Sequence, residues 1–153
     1  LGMVGNLTQY LGEDAKGKGI DFITDLPDAP IDITGLEARL AQVFVNLITN
    51  AISFCEDGDA IRVWARKREN RVLVVVEDTG PGIPEQALNK IFNRFYSHRP
   101  ESQFGNNSGL GLAISKQIVE AHGGVIWAEN IRPTDADVTS EPLGARFVVG
   151  LPV

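Results

Sequence analysis

The stretch "VVVEDTGPGIP", residues 74–84, runs from an apolar β-strand into a turn built from acidic residues, glycines and prolines. Because Asp, Gly and Pro all favour turns, it can be an ordinary strand end. Alternatively, Asp78 recognises a ligand, and Gly80 and Gly82 let that ligand approach the backbone closely. The stretch alone supports both interpretations, so the rest of the chain must decide between them.

Composition narrows the class of protein before any motif is considered. The chain has 153 residues, enough for one domain with a substantial core. Its content of 43% hydrophobic and 22% charged residues is typical of a soluble domain. The formal net charge of −6 argues against general binding to nucleic-acid backbones. The single Cys55 excludes an internal disulfide, fits a reducing cytoplasm and is expected to be a packed thiol.

Apolar periodicity predicts the helices. Residues at helical spacing indicate four of them, at 3–17, about 36–55, 85–92 and about 109–122. The second is the best defined, because Thr34 and Glu37 have the spacing of a capping box. Residues 97–108 have neither a period nor an apolar majority, and we expect them to form a mobile loop.

Segments rich in β-branched residues predict the strands, at 20–26, 60–66, 71–78, 125–130 and 145–153. The second and third are close enough to form a hairpin, with the basic run 66–68 interpreted as part of a solvated turn. Helices and strands interleave, yet the hairpin shows that the sheet is not purely parallel. The predicted fold is therefore a two-layer α/β sandwich in which helices cover one face of the sheet.

The long helix predicted at 36–55 carries a polar stripe. Its members are spaced by three or four residues and so share one face: Arg39, Gln42, Asn46, Asn50 and Ser53. Such a stripe normally faces water. Asn46 and Asn50 are poor helix formers, however, and their amide oxygens suit a hard cation such as Mg²⁺.

Two further segments are compatible with a bound phosphate. In "NSGLGLAIS" (107–115), Gly109 and Gly111 lie where a predicted helix begins, a position that favours anions, although such a pair is more often a tight turn. "IFNRFYSHR" (91–99) is an aromatic cluster with two arginines, Arg94 and Arg99. The aromatic rings are explained by core packing, whereas the arginines are either surface charges or phosphate partners.

In this order, the segments resemble the ATP-binding catalytic domain of bacterial sensor histidine kinases, within the wider ATPase group that includes gyrase, Hsp90 and MutL. The resembling motifs are the N box "NLITNAISF" (46–54), the G1 box "DTGPGI" (78–83), the F box "IFNRFY" (91–96) and the G2 box "SGLGLAIS" (108–115). "GARFVVGLP" (144–152) is similar to the family's last strand, and the segment around the G2 box resembles the envelope-sensing kinases of the ChvG/BvrS type. The resemblance covers nearly the whole chain. It implies a single domain over 1–153 with the Bergerat fold, whose sheet is mixed and mostly antiparallel.

The resemblance implies a role for each matched residue. Asp78 would accept a hydrogen bond from the exocyclic amine of adenine and reject guanine, which carries a carbonyl at that position. Asn50 would hold Mg²⁺, with Asn46 beside it, and residues 97–108 would form the ATP lid. Further ATP contacts are implied at Ser53, Gly80, Gly82, Ile83, Phe95, Tyr96, Ser108, Gly109, Leu110, Gly111 and Leu112.

Some positions depart from the family's pattern. Ser53 and Ser97 stand where basic residues are usual, and Asn93 stands where a Glu is usual. Two possible phosphate contacts are therefore missing. We expect Arg94 and Arg99 to replace them, so that both join Asn46 and Asn50 as catalytic candidates.

Three functions follow from the resemblance: phosphoryl transfer to a histidine on a separate dimerisation domain, ATP hydrolysis, or regulatory nucleotide binding without chemistry. Hydrolysing relatives carry a Glu as general base at position 46, and Asn46 cannot take a proton at neutral pH, so hydrolysis is disfavoured. His98 and His122 are interpreted as non-catalytic, which places the phosphorylated histidine outside this chain.

The resemblance also implies the setting of the domain. The expected cofactors are ATP and Mg²⁺. The expected partners are the helical dimerisation and phosphoacceptor domain of the same kinase and, indirectly, a response regulator, with no nucleic acid and no direct membrane contact. The expected location is the cytoplasmic part of a membrane-anchored sensor.

Overall fold

The computed structural model describes residues 2–26, 37–80, 82–83, 88, 90–92, 111–131 and 144–152. Within these ranges the helices are α1 (Gly2–Gly17), α2 (Glu37–Phe54) and α3 (Gly111–Ala121). The strands are β1 (Asp21–Asp25), β2 (Ala60–Arg68), β3 (Arg71–Asp78), β4 (Val125–Ile131) and β5 (Gly144–Pro152).

The five strands form one mixed sheet in the order β1-β2-β3-β5-β4. β1 is parallel to β2, and the other three pairs are antiparallel. The predicted sheet, mixed and mostly antiparallel, is thus confirmed. Sequence neighbours β3 and β4 are separated in space, because β5 returns from the end of the chain and lies between them.

The β2–β3 hairpin corrects one detail of the sequence interpretation. Arg68 pairs directly with Arg71, so the basic run 66–68 completes β2 with exposed side chains, and the turn consists of Glu69 and Asn70 alone. Glu69 adopts a φ of 51°, in the left-handed region that tight two-residue hairpin turns use. The turn geometry therefore lets the two strands extend further than their apolar residues suggest.

The core lies between the helices and one face of the sheet. On α2, the residues predicted to form the apolar face are buried: Leu40, Val43, Phe44, Leu47, Ile48, Ala51 and Ile52. On β2, Ile61, Val63 and Ala65 are buried while alternate residues are partly or fully exposed. Each fully buried large aliphatic side chain contributes about 1.5–3 kcal/mol. Since α2 packs against α1, α3 and β3, it forms the centre of the helical layer.

The other predicted elements are mostly confirmed, with boundaries that move by at most two residues where both ends are described. The short helix predicted at 85–92 is wrong for its described part, since residues 88 and 90–92 lie in turns. Ile91 is buried and Phe92 packs edge-on against Phe147, at 6.1 Å between ring centroids. Tertiary packing holds these side chains, and so short a segment has little helical stability of its own. Thr34, residues 132–143 between β4 and β5, and the whole predicted lid lie outside the described residues.

Candidate functional site

Asp78 lies at the carboxyl end of β3 and is only 4% exposed. Strand alternation directs its side chain to the same face as the core residues Val74 and Val76. Its carboxylate Oδ1 accepts a hydrogen bond from the N–H of Gly80 at 2.9 Å. An ordinary polar strand end is solvated, whereas this carboxylate is buried, so burial favours the interpretation that Asp78 serves a ligand.

The electrostatics of Asp78 follow from this burial. Burial, with a smaller contribution from the nearby carboxylate of Asp59, raises the pKa of Asp78 to about 6, against the opposing effect of the backbone N–H groups of Gly80 and Ala145. The carboxyl group is therefore mostly ionised at neutral pH. A partly desolvated anion with remaining lone pairs is a strong acceptor for a neutral N–H donor.

Cys55, Asp59 and Thr79 surround the same strand end. The Thr79 hydroxyl donates to Asp59 Oδ1 at 3.1 Å and accepts from the N–H of Ala60 at 2.9 Å. The buried Cys55 has its pKa raised to about 12, first by desolvation and then by the charges of Asp78 and Asp59. A thiol with so high a pKa is not a nucleophile at neutral pH, which confirms the prediction of a packed cysteine.

Gly144, at the start of β5, makes the close approach between β5 and the end of β3 possible. Asp78 pairs with Ala145, and a Cβ added to Gly144 would overlap the carbonyl oxygen of Asp78. Sequence reasoning missed this role. The signal available was the small pair Gly144-Ala145 at the start of an otherwise bulky apolar strand.

Asn46 joins α2 to the first turn of α3. Its Nδ2 donates to the carbonyl of Gly111 at 3.1 Å and to Ser115 Oγ at 3.2 Å. Ser115 is fully buried, and its hydroxyl donates to the same Gly111 carbonyl at 2.8 Å. The structure thus brings the N-box and G2-box segments together through Asn46. The oxygen of the Asn46 amide takes part in neither bond, and sequence reasoning missed Ser115, a small polar residue four positions after Gly111.

The polar stripe on α2 does not lie wholly in water. Arg39 and Gln42 are exposed, but Asn50 is only 5% exposed. Ser53 donates its hydroxyl proton to the carbonyl of Asn50 at 2.7 Å, so that proton is directed at the helix backbone. Burial of an amide at Asn50 supports the prediction that this position serves a site, and the ligand role of Ser53 stays a prediction.

The segment after Asp78 is fixed at its far end. Gly82 has a φ of 82°, a conformation that favours glycine, and the next residue, Ile83, is buried. Asn130 of β4 accepts from the N–H of Ile83 and donates to its carbonyl, both at 2.7 Å. Sequence reasoning missed Asn130, for which the only signal was an amide at the end of an apolar strand.

The remaining predicted site residues lie outside the described residues: Arg94, Phe95, Tyr96, Arg99, Ser108, Gly109 and Leu110. Leu112 is half-buried in the first turn of α3 and packs against the core.

In the described ranges, no three His, Cys, Asp or Glu side chains are grouped so that they could hold a metal. A magnesium site built from these ranges would therefore need further oxygen donors, and the amide oxygen of Asn50 is of that chemical type. None of the helices described is long and apolar enough to cross a membrane.

Comparisons with known proteins agree with this arrangement. A family model described as "Histidine kinase-, DNA gyrase B-, and HSP90-like ATPase" matches residues 35–153. The chain is 43% identical over 157 residues to the sensor protein ChvG of Rhizobium meliloti (strain 1021). That alignment covers 99% of this chain and 26% of ChvG, so the chain spans about a quarter of this curated relative.

Solved structures give the same result at the level of the fold. The catalytic domain of the histidine kinase ThkA matches with a TM-score of 0.81 and 28% identity, covering 98% of this chain and 90% of that domain. ThkA in complex with the response regulator protein TrrA matches with a TM-score of 0.77 and 28% identity, covering 98% of this chain and 39% of that chain. The predicted Bergerat-type fold is thereby confirmed.

Proposed function

The chain belongs to the family of histidine kinase-, DNA gyrase B- and HSP90-like ATPases and carries the ATP-binding catalytic domain of sensor histidine kinases, and on this premise we propose that it binds ATP with Mg²⁺ and donates the γ-phosphoryl group to a histidine on a separate dimerisation domain. The observation that carries the proposal is the buried carboxylate of Asp78 at the end of β3. The domain extends over 1–153, with residues 97–108 as its lid.

Asp78 selects the base. Its ionised carboxylate accepts the exocyclic N–H of adenine in a site where few competing waters reach it. Guanine would place a carbonyl oxygen against the same carboxylate, which brings repulsion and leaves a buried acceptor unpaired. Gly80 and Gly82 leave the backbone of the following segment open to the flat face of the base.

The phosphate end is formed by α2 and the start of α3. The N-terminal turn of α3 would present backbone N–H groups and the positive end of the helix dipole to a phosphate. Asn46 holds this turn against α2 through Gly111, and Asn50 would hold Mg²⁺ through its amide oxygen. When bound, the ion would neutralise phosphate charge. Arg94 and Arg99 supply the positive side chains that Ser53 and Ser97 lack.

Phosphoryl transfer requires an acceptor that this chain does not supply. His122 Nδ1 donates to the carbonyl oxygen of Ile118 at 2.8 Å, a contact that gives this histidine a structural role at the end of α3. The acceptor is a histidine of the dimerisation domain of the same kinase, and a response regulator receives the phosphoryl group afterwards. The parent protein is a membrane-anchored sensor with this domain in the cytoplasm.

Two observations bear on the alternatives. The position at which hydrolysing relatives carry a general base is Asn46, whose amide nitrogen is bound to α3. This disfavours an ATPase that activates water. The Ser53 hydroxyl donates to the helix backbone, which keeps a regulatory nucleotide-binding module as the second candidate.

The test combines this chain with the separately purified dimerisation domain and ATP radiolabelled at the γ position. We expect label in the dimerisation domain and none in the chain itself. Asn50→Ala should abolish transfer, whereas Asn70→Ala, at an exposed hairpin position, should leave it unchanged. Stable label on His98 or His122, or transfer by Asn50→Ala at the native rate, would contradict the proposal. Nucleotide binding without any transfer would favour the regulatory module.

A further inference from the structure

Asn130 forms an unusual contact for a side chain at a sheet edge. Its carboxamide accepts from the N–H of Ile83 and donates to the carbonyl of the same residue, both at 2.7 Å. This is the donor and acceptor pair that a neighbouring strand residue presents in an antiparallel ladder. The side chain of Asn130 therefore takes the place of a strand partner for Ile83, although the two residues are 47 positions apart.

The sheet register places Asn130 in line with Asp78. Asn130 pairs with Ala145, and Ala145 pairs with Asp78, so the three residues form one row across β4, β5 and β3. Two strand spacings separate the ends of the row, which corresponds to roughly 10 Å. The middle position is occupied by a small alanine side chain. The row thus has a carboxylate at one end, an amide at the other and little side-chain volume between them.

The segment from Asp78 to Ile83 connects the two ends of this row. Its first end is held by strand pairing and by the bond from the Gly80 N–H to Asp78. Its second end is held by Asn130. Ile83 is 5% exposed, so its peptide groups would be costly to leave unpaired. Gly82, with a φ of 82°, turns the chain into this contact.

We propose that Asn130 is a positioning residue for the nucleotide: by holding the peptide of Ile83, it sets the distance between the glycine segment and Asp78, and so the width of the pocket that receives the base. This role rests on the proposed function, because it needs a nucleotide at Asp78. Asn130 does not contact the reacting phosphate. Its loss should change the binding of the base while leaving the rate of transfer at saturating ATP nearly unchanged.

The sharpest variant is Asn130→Asp, which is almost isosteric. It keeps an acceptor for the Ile83 N–H but replaces the Nδ2 donor with an oxygen that faces the Ile83 carbonyl. The matched control is Asn70→Asp, the same chemical change at an exposed position in the β2–β3 turn. Calorimetric titration with ADP should show binding about tenfold weaker for Asn130→Asp and unchanged for Asn70→Asp. The preference for ADP over GDP should fall as well.

A purely structural role would give a different result. It would lower the unfolding midpoint, but the folded protein would bind ADP with native affinity and native preference over GDP. Native affinity in folded Asn130→Asp would therefore overturn the positioning role while leaving the proposed function intact. Failure of the native chain to bind ADP would overturn the proposed function, and this role of Asn130 with it.

A second measurement needs no variant. If Asn130 holds the segment in advance of binding, the Ile83 amide of the nucleotide-free native chain must already be protected from hydrogen exchange. Protection that appears only after ADP is added would contradict the proposal, because the nucleotide would then be positioning the segment. The exchange experiment therefore decides the question even if Asn130→Asp does not fold.

Discussion

Acidification from about pH 7.5 to about pH 5 should weaken ADP binding to this chain, because the acceptor proposed for adenine titrates between these values. Burial, with a further contribution from the charge of Asp59, raises the pKa of Asp78 to about 6, against its ordinary value of 3.8. Only the ionised carboxyl presents lone pairs without a competing proton. Adenine binding should therefore favour the ionised form and release a proton near pH 6.

The magnitude follows from the fraction of Asp78 that is ionised. If only the ionised form binds, the affinity is nearly full at about pH 7.5, is halved at about pH 6 and is reduced roughly tenfold at about pH 5. The last figure corresponds to about 1.4 kcal/mol. Below that, each further pH unit should cost about another factor of ten until other groups titrate.

The same carboxyl affects folding in the opposite direction. Because its pKa is higher in the folded chain than its ordinary value, the folded state binds more protons than the unfolded state in this range. The contribution of Asp78 to the free energy of unfolding is full below about pH 4 and is lost, by roughly 2–4 kcal/mol, as the pH rises through about 6. Weaker binding in acid can therefore not be attributed to unfolding driven by Asp78.

Calorimetry over this pH range, in two buffers of different ionisation enthalpy, measures both the affinity and the protons released. Asp78→Asn is the control. It should bind ADP more weakly at neutral pH by about 1–3 kcal/mol, and its affinity should no longer depend on pH in this range. Constant native affinity over the whole range, or an unchanged pH dependence in Asp78→Asn, would refute the assignment of Asp78 as the base acceptor.

Three further predictions concern other parts of the site. Gly144→Ala should lower the free energy of unfolding in urea by at least about 2 kcal/mol, because the added Cβ overlaps the carbonyl oxygen of Asp78. The control Gly17→Ala, where a Cβ meets nothing within 4 Å, should not be destabilising, and equal losses in the two variants would contradict the steric argument. Cys55 should react with iodoacetamide at least about a hundredfold more slowly in the folded chain than in urea, because the thiolate is the reactive form and burial raises the pKa of the Cys55 thiol to about 12. Rapid labelling of the folded chain would refute this. Arg99→Ala should weaken ATP binding more than ADP binding if this arginine grips the terminal phosphate, and an equal effect on both nucleotides would leave it as lid surface.

The sequence by itself determined most of the secondary structure of the described regions and identified Asp78 as the candidate residue for binding the base. The apolar period of α2 and the β-branched runs of β2 and β3 are local signals, because a helix or strand must turn its apolar side chains to one face wherever it packs. The glycines around Asp78 are also readable locally, since few other residues tolerate the backbone conformation found at Gly82. The short helix predicted after residue 84 was the exception, because there local pattern and tertiary packing disagree.

Only the tertiary structure decided how these segments meet. The insertion of β5 between β3 and β4 cannot be read from any one segment, because strand pairing depends on contacts between residues far apart in the chain. That insertion creates the close contact at Gly144, and it places Asn130 and Asp78 in one row across the sheet, on either side of β5. No local sequence pattern reveals the contacts of Asn130 and Ser115. An amide or a hydroxyl makes such a contact only when folding buries a particular backbone group within hydrogen-bonding distance of it.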